Sequence, residues 1–255
     1  MRIAILISLF FASLYAKETS THEKSPEQQI ENSQSISTKE SVTIPLSISE
    51  ESITDDEIFL FTPPDNWKVQ DPKNYTRFIK IAFAGEEKGF FRPTINLAVE
   101  ENVGTEEEFL ECVNIIQKKR KDSKWKKRCE IKTEAGIVHL FEDQQITTVG
   151  AIKILQGILV KNHTAYLLTA SCLVKDMITF LPLYSKTFKS IKFTNDLFAM
   201  VEEDKRNPIL KEIALADSKN FPSIEKKLEG ASPKLGKYWQ VLALKDAYEK
   251  VHTKK

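Results

Sequence analysis

The densest chemistry in this chain of 255 residues is the run Lys118-Lys119-Arg120-Lys121-Asp122-Ser123-Lys124-Trp125-Lys126-Lys127-Arg128, with eight bases and one acid in eleven positions. Charge of that density draws an anionic partner: an acidic protein, an anionic membrane surface or a polyanionic polymer. Trp125 in its middle suits a lipid interface or stacking on a ring. Nucleic acid is set aside, because such binding interleaves several aromatics with the cations and only one is present. The competing reading is structural. Lys118, Lys119 and Arg120 end a helix, where cations are at home, and the rest is a solvated loop.

The other reactive side chains are scattered. Cys112, Cys129 and Cys172 are too few for a disulfide scaffold. In an oxidising compartment Cys112 and Cys129 are available to pair, closing a loop worth about 3 kcal/mol on the chain-entropy estimate. The plainer alternative is that all three are small buried apolar residues. His139, with Glu142 and Asp143, is the nearest approach to a metal cluster, but residues three apart on a strand face opposite sides. Ser171 has no Gly-x-Ser-x-Gly elbow around it. His163 and Cys172 sit about 30 Å apart along one strand. The chain holds eight Gly, none clustered, which argues against a phosphate-cradling loop. No catalytic residue, cofactor or metal is assigned, and the chain reads as a non-enzyme.

The elements that position these residues follow a strong address. Residues 1–16, MRIAILISLFFASLYA, have a basic start, an apolar run and a small-residue exit, so they predict a secretory signal peptide. Leu14, large for its place before the cut, keeps an uncleaved anchor as the alternative. The chain is therefore expected in the periplasm or secreted. Residues 17–56 read as a disordered tether. The stretch from Lys17 to Glu57 holds ten acids against three Lys and contains fourteen Ser or Thr. Within it, Val42, Ile44, Leu46 and Ile48 alternate as an edge strand would, with Pro45 excluding a central place. The tether carries −7 and the remainder from Ile58 carries +7, which suits self-association or separate partners.

From residue 57 the pattern is mixed. Ile58 to Phe61 is a short apolar run stopped by Pro63 and Pro64. Arg77 to Phe83 and Thr94 to Glu100 alternate as half-buried strands. Thr105 and Glu108 form a capping box for a helix whose stripe is Phe109, Val113 and Ile116, with Cys112 beside it. Strands are expected at about Arg128 to Lys132 and Ile137 to Glu142. Ala151 to Val160 and Thr164 to Leu173 form a long hairpin turning at Asn162, covered on both faces. Asp176 is placed to cap a helix carrying Phe180, Tyr184 and Phe188, with Pro182 kinking it or marking its start. Ile191 to Phe193 is a last short strand.

Residues 195–255 form a helical extension in this reading. Asn207-Pro208 and Ser232-Pro233 are helix starts, Gly230 ends a short helix, and Trp239 with Leu242 and Tyr238 faces either the sheet or a partner helix.

The order of elements resembles the PsbP/DcrB-like family. The residues that carry the likeness are Pro63-Pro64-Asp65-Asn66-Trp67, Pro93 to Glu100 leading into the Thr105 helix, the Ala151 to Leu173 hairpin, and the ending Phe180, Tyr184, Phe188, Ile191 and Phe193. The resemblance covers residues 57–194. It implies an α+β sandwich, an antiparallel sheet packed with helices, and a binding or accessory role; the acidic tether and C-terminal helices depart from the family. The reading is an exported accessory protein that binds a protein partner of an envelope or exported complex. The alternative is a carrier of a small ligand or lipid, held between the sheet and the Phe180 to Phe188 helix. An apolar cavity lined by Leu155, Leu168 and Phe188 would favour the carrier; a filled core would count against it.

Overall fold

The computed structural model describes residues 57–71, 75, 78–87, 91–121, 123–216, 221–232 and 236–252; the expected signal segment, tether and Val42–Ile48 strand lie outside them. The chain runs through β1 (Ile58–Leu60), β2 (Lys68–Val69), β3 (Ile79–Ala84), β4 (Thr94–Glu101) and α1 (Glu106–Lys118). Four long strands follow: β5 (Lys126–Thr133), β6 (Gly136–Thr147), β7 (Gly150–Lys161) and β8 (Thr164–Leu173). After them come α2 (Met177–Lys189), β9 (Lys192–Thr194), α3 (Glu203–Leu215), α4 (Phe221–Ala231) and α5 (Lys237–His252). The main sheet is antiparallel in the order β2-β3-β4-β8-β7-β6-β5, and β1 pairs with β9 in a separate ribbon. The architecture is α+β with helices on both faces.

Two local signals act as the sequence predicts. Thr105 accepts from the Glu108 amide while the Glu108 carboxylate accepts from the Thr105 amide, a complete capping box. The β7–β8 hairpin turns on Asn162 and His163, both at positive φ (50° and 57°), whose twist matches that of the paired strands.

Side-chain alternation then sorts the core. Leu97, Leu168, Gly157 and Leu140 stand side by side across β4, β8, β7 and β6, so they share one face. Helix α2 lies over that face. A Cβ on Gly157 would stand 2.9 Å from both Phe188 and Val138, so the bare backbone there lets the helix approach. The Tyr184 hydroxyl donates to the Ser171 carbonyl at 2.6 Å, and Trp67 meets Phe180 and Tyr184 edge-on. On the opposite face α1 sets Phe109 and Val113 against Phe141, Ile158 and Leu167. Each such buried side chain contributes about 1.5–3 kcal/mol of transfer free energy.

The C-terminal helices pack on the same core. Trp239 has no exposed surface and meets Phe61 edge-on at 6.3 Å. Ile213, Leu228 and Ala243 join the cluster that contains Ile81 and Phe83. The Trp239 face of α5 is therefore spent on the body of the protein.

Several boundaries differ from expectation. Asp176 makes no side-chain cap; a 3-10 turn over Val174–Asp176 leads straight into α2. Pro182 sits inside α2 on its exposed side, where water reaches the carbonyl it leaves unpaired. Helix α3 starts at Glu203 and runs through Pro208, its first turn carrying Glu203 and Asp204 at the positive end of the dipole. Helix α4 continues through Gly230 to Ala231. The start expected at Ser232-Pro233 falls partly outside the described residues. In α1, Gln117 takes a buried place while Ile116 is half-buried.

Candidate binding groove

The basic run is divided among three elements. Lys118 closes α1, Lys119 is its C-cap, and Lys126, Lys127 and Arg128 belong to β5 rather than to a loop. Between them Asp143 anchors the connection. Its buried carboxylate accepts from the Ser123 hydroxyl at 2.9 Å, the Lys124 amide at 2.8 Å and the Gln145 amide nitrogen at 3.0 Å. Arg120 reaches it at 3.5 Å while donating to Gln117 at 2.9 Å. Trp125 stacks on Phe141 with centroids 4.8 Å apart, and its indole N–H donates to Asn114. One face of the ring expected at a lipid interface is thus covered by the protein itself. Lys118, Lys119, Lys121 and Lys124 are exposed, and their side chains make no ion pair among the described residues.

A bulge between Lys127 and Cys129 decides where the remaining cations point. Lys126 and Arg128 turn to the α2 face, where they meet Glu142 at 3.6 and 3.1 Å. Lys153 of β7 joins them at 2.5 Å, so three cations surround one carboxylate. Burial opposes the Glu142 charge, but Lys153, then Arg128 and Lys126, outweigh it and hold its carboxyl below the ordinary range. Lys127 turns to the other face and pairs with Glu130 at 2.7 Å, which lowers the Glu130 carboxyl.

Arg128, Glu142 and Lys153 rim a groove of about 800 Å³ between β5 and α2. Its apolar side is Ile131, Leu140, Leu155, Met177, Leu181 and Phe188; its cations are Arg128, Lys132, Lys153 and Lys189. The lip is apolar too, because Ile178 is 89% exposed, Leu181 is 45% exposed and Pro182 is exposed beside them. Leu168, expected to line a cavity here, is fully buried in the packed core, so the recess reaches Leu155 and Phe188 from outside. Strand β5 is the sheet's last strand, which leaves one side of its backbone unpaired within the sheet.

The Cys112–Cys129 bridge that the spacing left available is not formed: all three cysteines are free thiols, and only Cys172 is buried, Cys112 being half-buried and Cys129 exposed. Geometry explains this. Cys129 stands opposite Leu140 and lines the α2 groove, whereas Cys112 rides on α1 across the sheet. Cys172 is buried, and burial pushes its thiol up to about 11, as expected of an apolar residue and not a nucleophile.

The remaining candidates are held apart. His139 faces α1, with Nε2 2.8 Å from Glu106 and Nδ1 3.3 Å from Glu130, while Glu142 faces α2. Among the described residues no group of three or more His, Cys, Asp or Glu is placed to hold a metal ion. Ser171 is buried and shares a hydrogen bond with Thr94 at 2.8 Å, far from His163 at the hairpin tip. Among the described residues no helix is long and apolar enough to cross a membrane.

No family model and no curated protein matches the chain. Solved structures do. LpqN of Mycobacterium tuberculosis, described as involved in cell envelope biogenesis, is 10% identical with a TM-score of 0.42, covering 54% of this chain and 84% of that one. Cyanobacterial PsbP from Synechocystis is 13% identical with a TM-score of 0.38, covering 58% and 98%. The Ran-binding protein Mog1p of Saccharomyces cerevisiae is 11% identical with a TM-score of 0.36, covering 53% and 93%. The strand order and helix placement described above themselves give this chain its α+β architecture.

Proposed function

We propose that this chain is an exported accessory protein, periplasmic or secreted and without catalytic chemistry, that holds a protein partner of an envelope or exported complex. The carrying observation is the α2–β5 groove, which combines an apolar floor, an excess of cations and an edge strand. An extended segment with alternating acidic and apolar residues fits it. Such a segment adds its backbone to β5, buries its apolar side chains against Leu181 and Met177, and sets its carboxylates on Arg128 and Lys132. The exposed cations of the α1–β5 connection supply longer-range attraction, which speeds encounter more than it tightens binding.

The test is crosslinking with mass spectrometry in the native host, using the full chain. A partner crosslinked through Lys132 and Lys189 should disappear in a Lys126→Glu, Arg128→Glu double variant and persist when Lys118 and Lys119 are reversed. Equal recovery of that partner from both variants removes the groove from the account. The carrier reading is favoured by the same apolar floor at Leu155 and Phe188. It expects the isolated chain to bind a fluorescent single-chain fatty acid. Saturable fatty-acid binding with no groove crosslink would put the carrier in place of the partner.

A further inference from the structure

A second recess, of about 480 Å³, lies at the other end of the same face and takes no part in the groove. Its floor is set by register. Glu101 of β4 stands beside Thr164 of β8, which stands beside Lys161 of β7. Adjacent strands are about 4.8 Å apart, so a carboxylate, a hydroxyl and an ammonium form a row along the sheet. One row inward, Val99 stands beside Tyr166.

Two walls rise from this floor. The β1–β9 ribbon provides one: Phe59 stacks on Tyr166 with centroids 4.8 Å apart, and Phe193 meets both rings edge-on. Helix α5 provides the other, through Tyr238 and Leu242. Lys80, at the irregular step between Ile79 and Ile81, completes the lining.

The charges cancel. Lys80 and Lys161 are matched by Glu57 and Glu101, and Lys161 is already paired with Glu57 while its Nζ lies 4.3 Å over the Phe193 ring. The polar atoms, by contrast, are open. Among the described residues, the hydroxyls of Thr164, Tyr166 and Tyr238 and the ammonium of Lys80 have no hydrogen-bond partner. Burial, with Tyr166 and Glu101 nearby, pushes the Tyr238 hydroxyl up to about 12, and burial raises Tyr166 as well. Both phenols therefore remain donors at neutral pH.

From this arrangement we infer that the pocket binds a neutral saccharide. A site without net charge gives an ion no advantage, whereas sugar hydroxyls both donate and accept and match the Glu101 carboxylate, the open hydroxyls and the Lys80 ammonium. The apolar C–H face of a pyranose fits against aromatic side chains such as Tyr238, and the volume lies in the range of small-molecule sites, about 300–1,000 Å³. Because α5 forms one wall, the site belongs to the C-terminal helices together with the sheet, and it stands whether or not the groove binds a protein.

The test titrates the full chain with maltose, cellobiose and chitobiose, and with choline and benzoate as a cation and an anion. Binding is read by saturation-transfer NMR and calorimetry. At least one disaccharide should bind saturably, and Glu101→Ala and Thr164→Val should each weaken it about tenfold or more with the melting temperature little changed. Thr164→Val keeps the branched shape of the strand residue, so a loss there reports the hydroxyl. Absence of binding by all three disaccharides, saccharide binding untouched by either variant, or preferential binding of choline or benzoate would each overturn the assignment.

Discussion

The groove under α2 and the pocket at the hairpin end lie on one face of one sheet, yet their charges are arranged in opposite ways. In the groove Lys126, Arg128 and Lys153 converge on the single carboxylate of Glu142, so the rim keeps a positive surplus. In the pocket two lysines meet two glutamates and the polar atoms left over are hydroxyls. The groove is bordered by exposed Ile178 and Leu181, whereas the pocket is walled by aromatic rings already stacked on one another. A surplus of charge beside an open apolar lip recruits an acidic, extended partner; neutrality inside aromatic walls selects a compact, uncharged one. Strand β7 is common to both, with Lys153 and Leu155 in the groove and Lys161 in the pocket, because its alternate side chains share a face but meet different helices.

The two sites rest on different helices, so each can be broken alone. The largest effect is expected from Trp239→Ala. The ring is fully buried against Phe61, and its removal should lower stability by about 3–5 kcal/mol in a denaturant titration. The pocket should lose its α5 wall while the groove keeps its shape. A change under about 1 kcal/mol would mean that α5 is not part of the cooperative core.

Gly157→Ala is the matching lesion on the groove side. The new methyl meets Phe188 and Val138 at 2.9 Å, so α2 must shift outward, at about 1–3 kcal/mol. Groove crosslinks should weaken and disaccharide binding should not. Equal damage to both sites would show that α2 and α5 move as one layer.

Much of the scaffold is legible in the sequence, and the sites are not. The Thr105–Glu108 capping box and the Asn162 turn are local, each decided by residues within a few positions of one another. The alternation of Ile79, Ile81 and Phe83 identifies a strand but not its faces: the irregular step pairs Ile79 with Ala98 and Ile81 with Leu97, so Ile79 leaves the side that Ile81 and Phe83 share. What composition does not disclose is which face a residue meets at long range. Cys112 and Cys129 are near in sequence but lie on opposite sides of the sheet. The bulge that brings Arg128 beside Lys126 has no Gly or Pro to announce it, and the approach of Lys153 depends on pairing between β6 and β7. The row Glu101, Thr164 and Lys161 becomes readable only once the register is known. Its wall at Tyr238 comes from a helix that the sequence places in a separate extension. The basic run is conspicuous for its density, yet Arg120, Lys126, Lys127 and Arg128 are engaged in ion pairs of the fold. Density of charge was the signal; destination was not.

The smallest effects are expected from pH, and they should separate Glu142 of the groove from Tyr238 of the pocket by sign. The Glu142 carboxyl is held below its unfolded value, near 4.3 for a free glutamate. Its contribution is therefore fully present above about pH 4.3 and is lost as pH falls through the lower folded value. The Tyr238 hydroxyl is raised to about 12 from an unfolded value of about 10, so its contribution is present below about pH 10 and is lost as pH rises toward 12. Acid should thus act on the groove, whereas alkali acts both on Tyr238 of the pocket and on Cys172 and Tyr184 beneath α2, which burial also raises. Glu142→Gln should shallow the acid limb of a stability–pH curve and leave the alkaline limb alone, and Tyr238→Phe should shallow the alkaline limb in part, the buried Cys172, Tyr184 and Tyr166 keeping the rest, and leave the acid limb alone. A single variant that flattened both limbs would mean that the two recesses titrate as one network, and the contrast between a charged groove and a neutral pocket would fail.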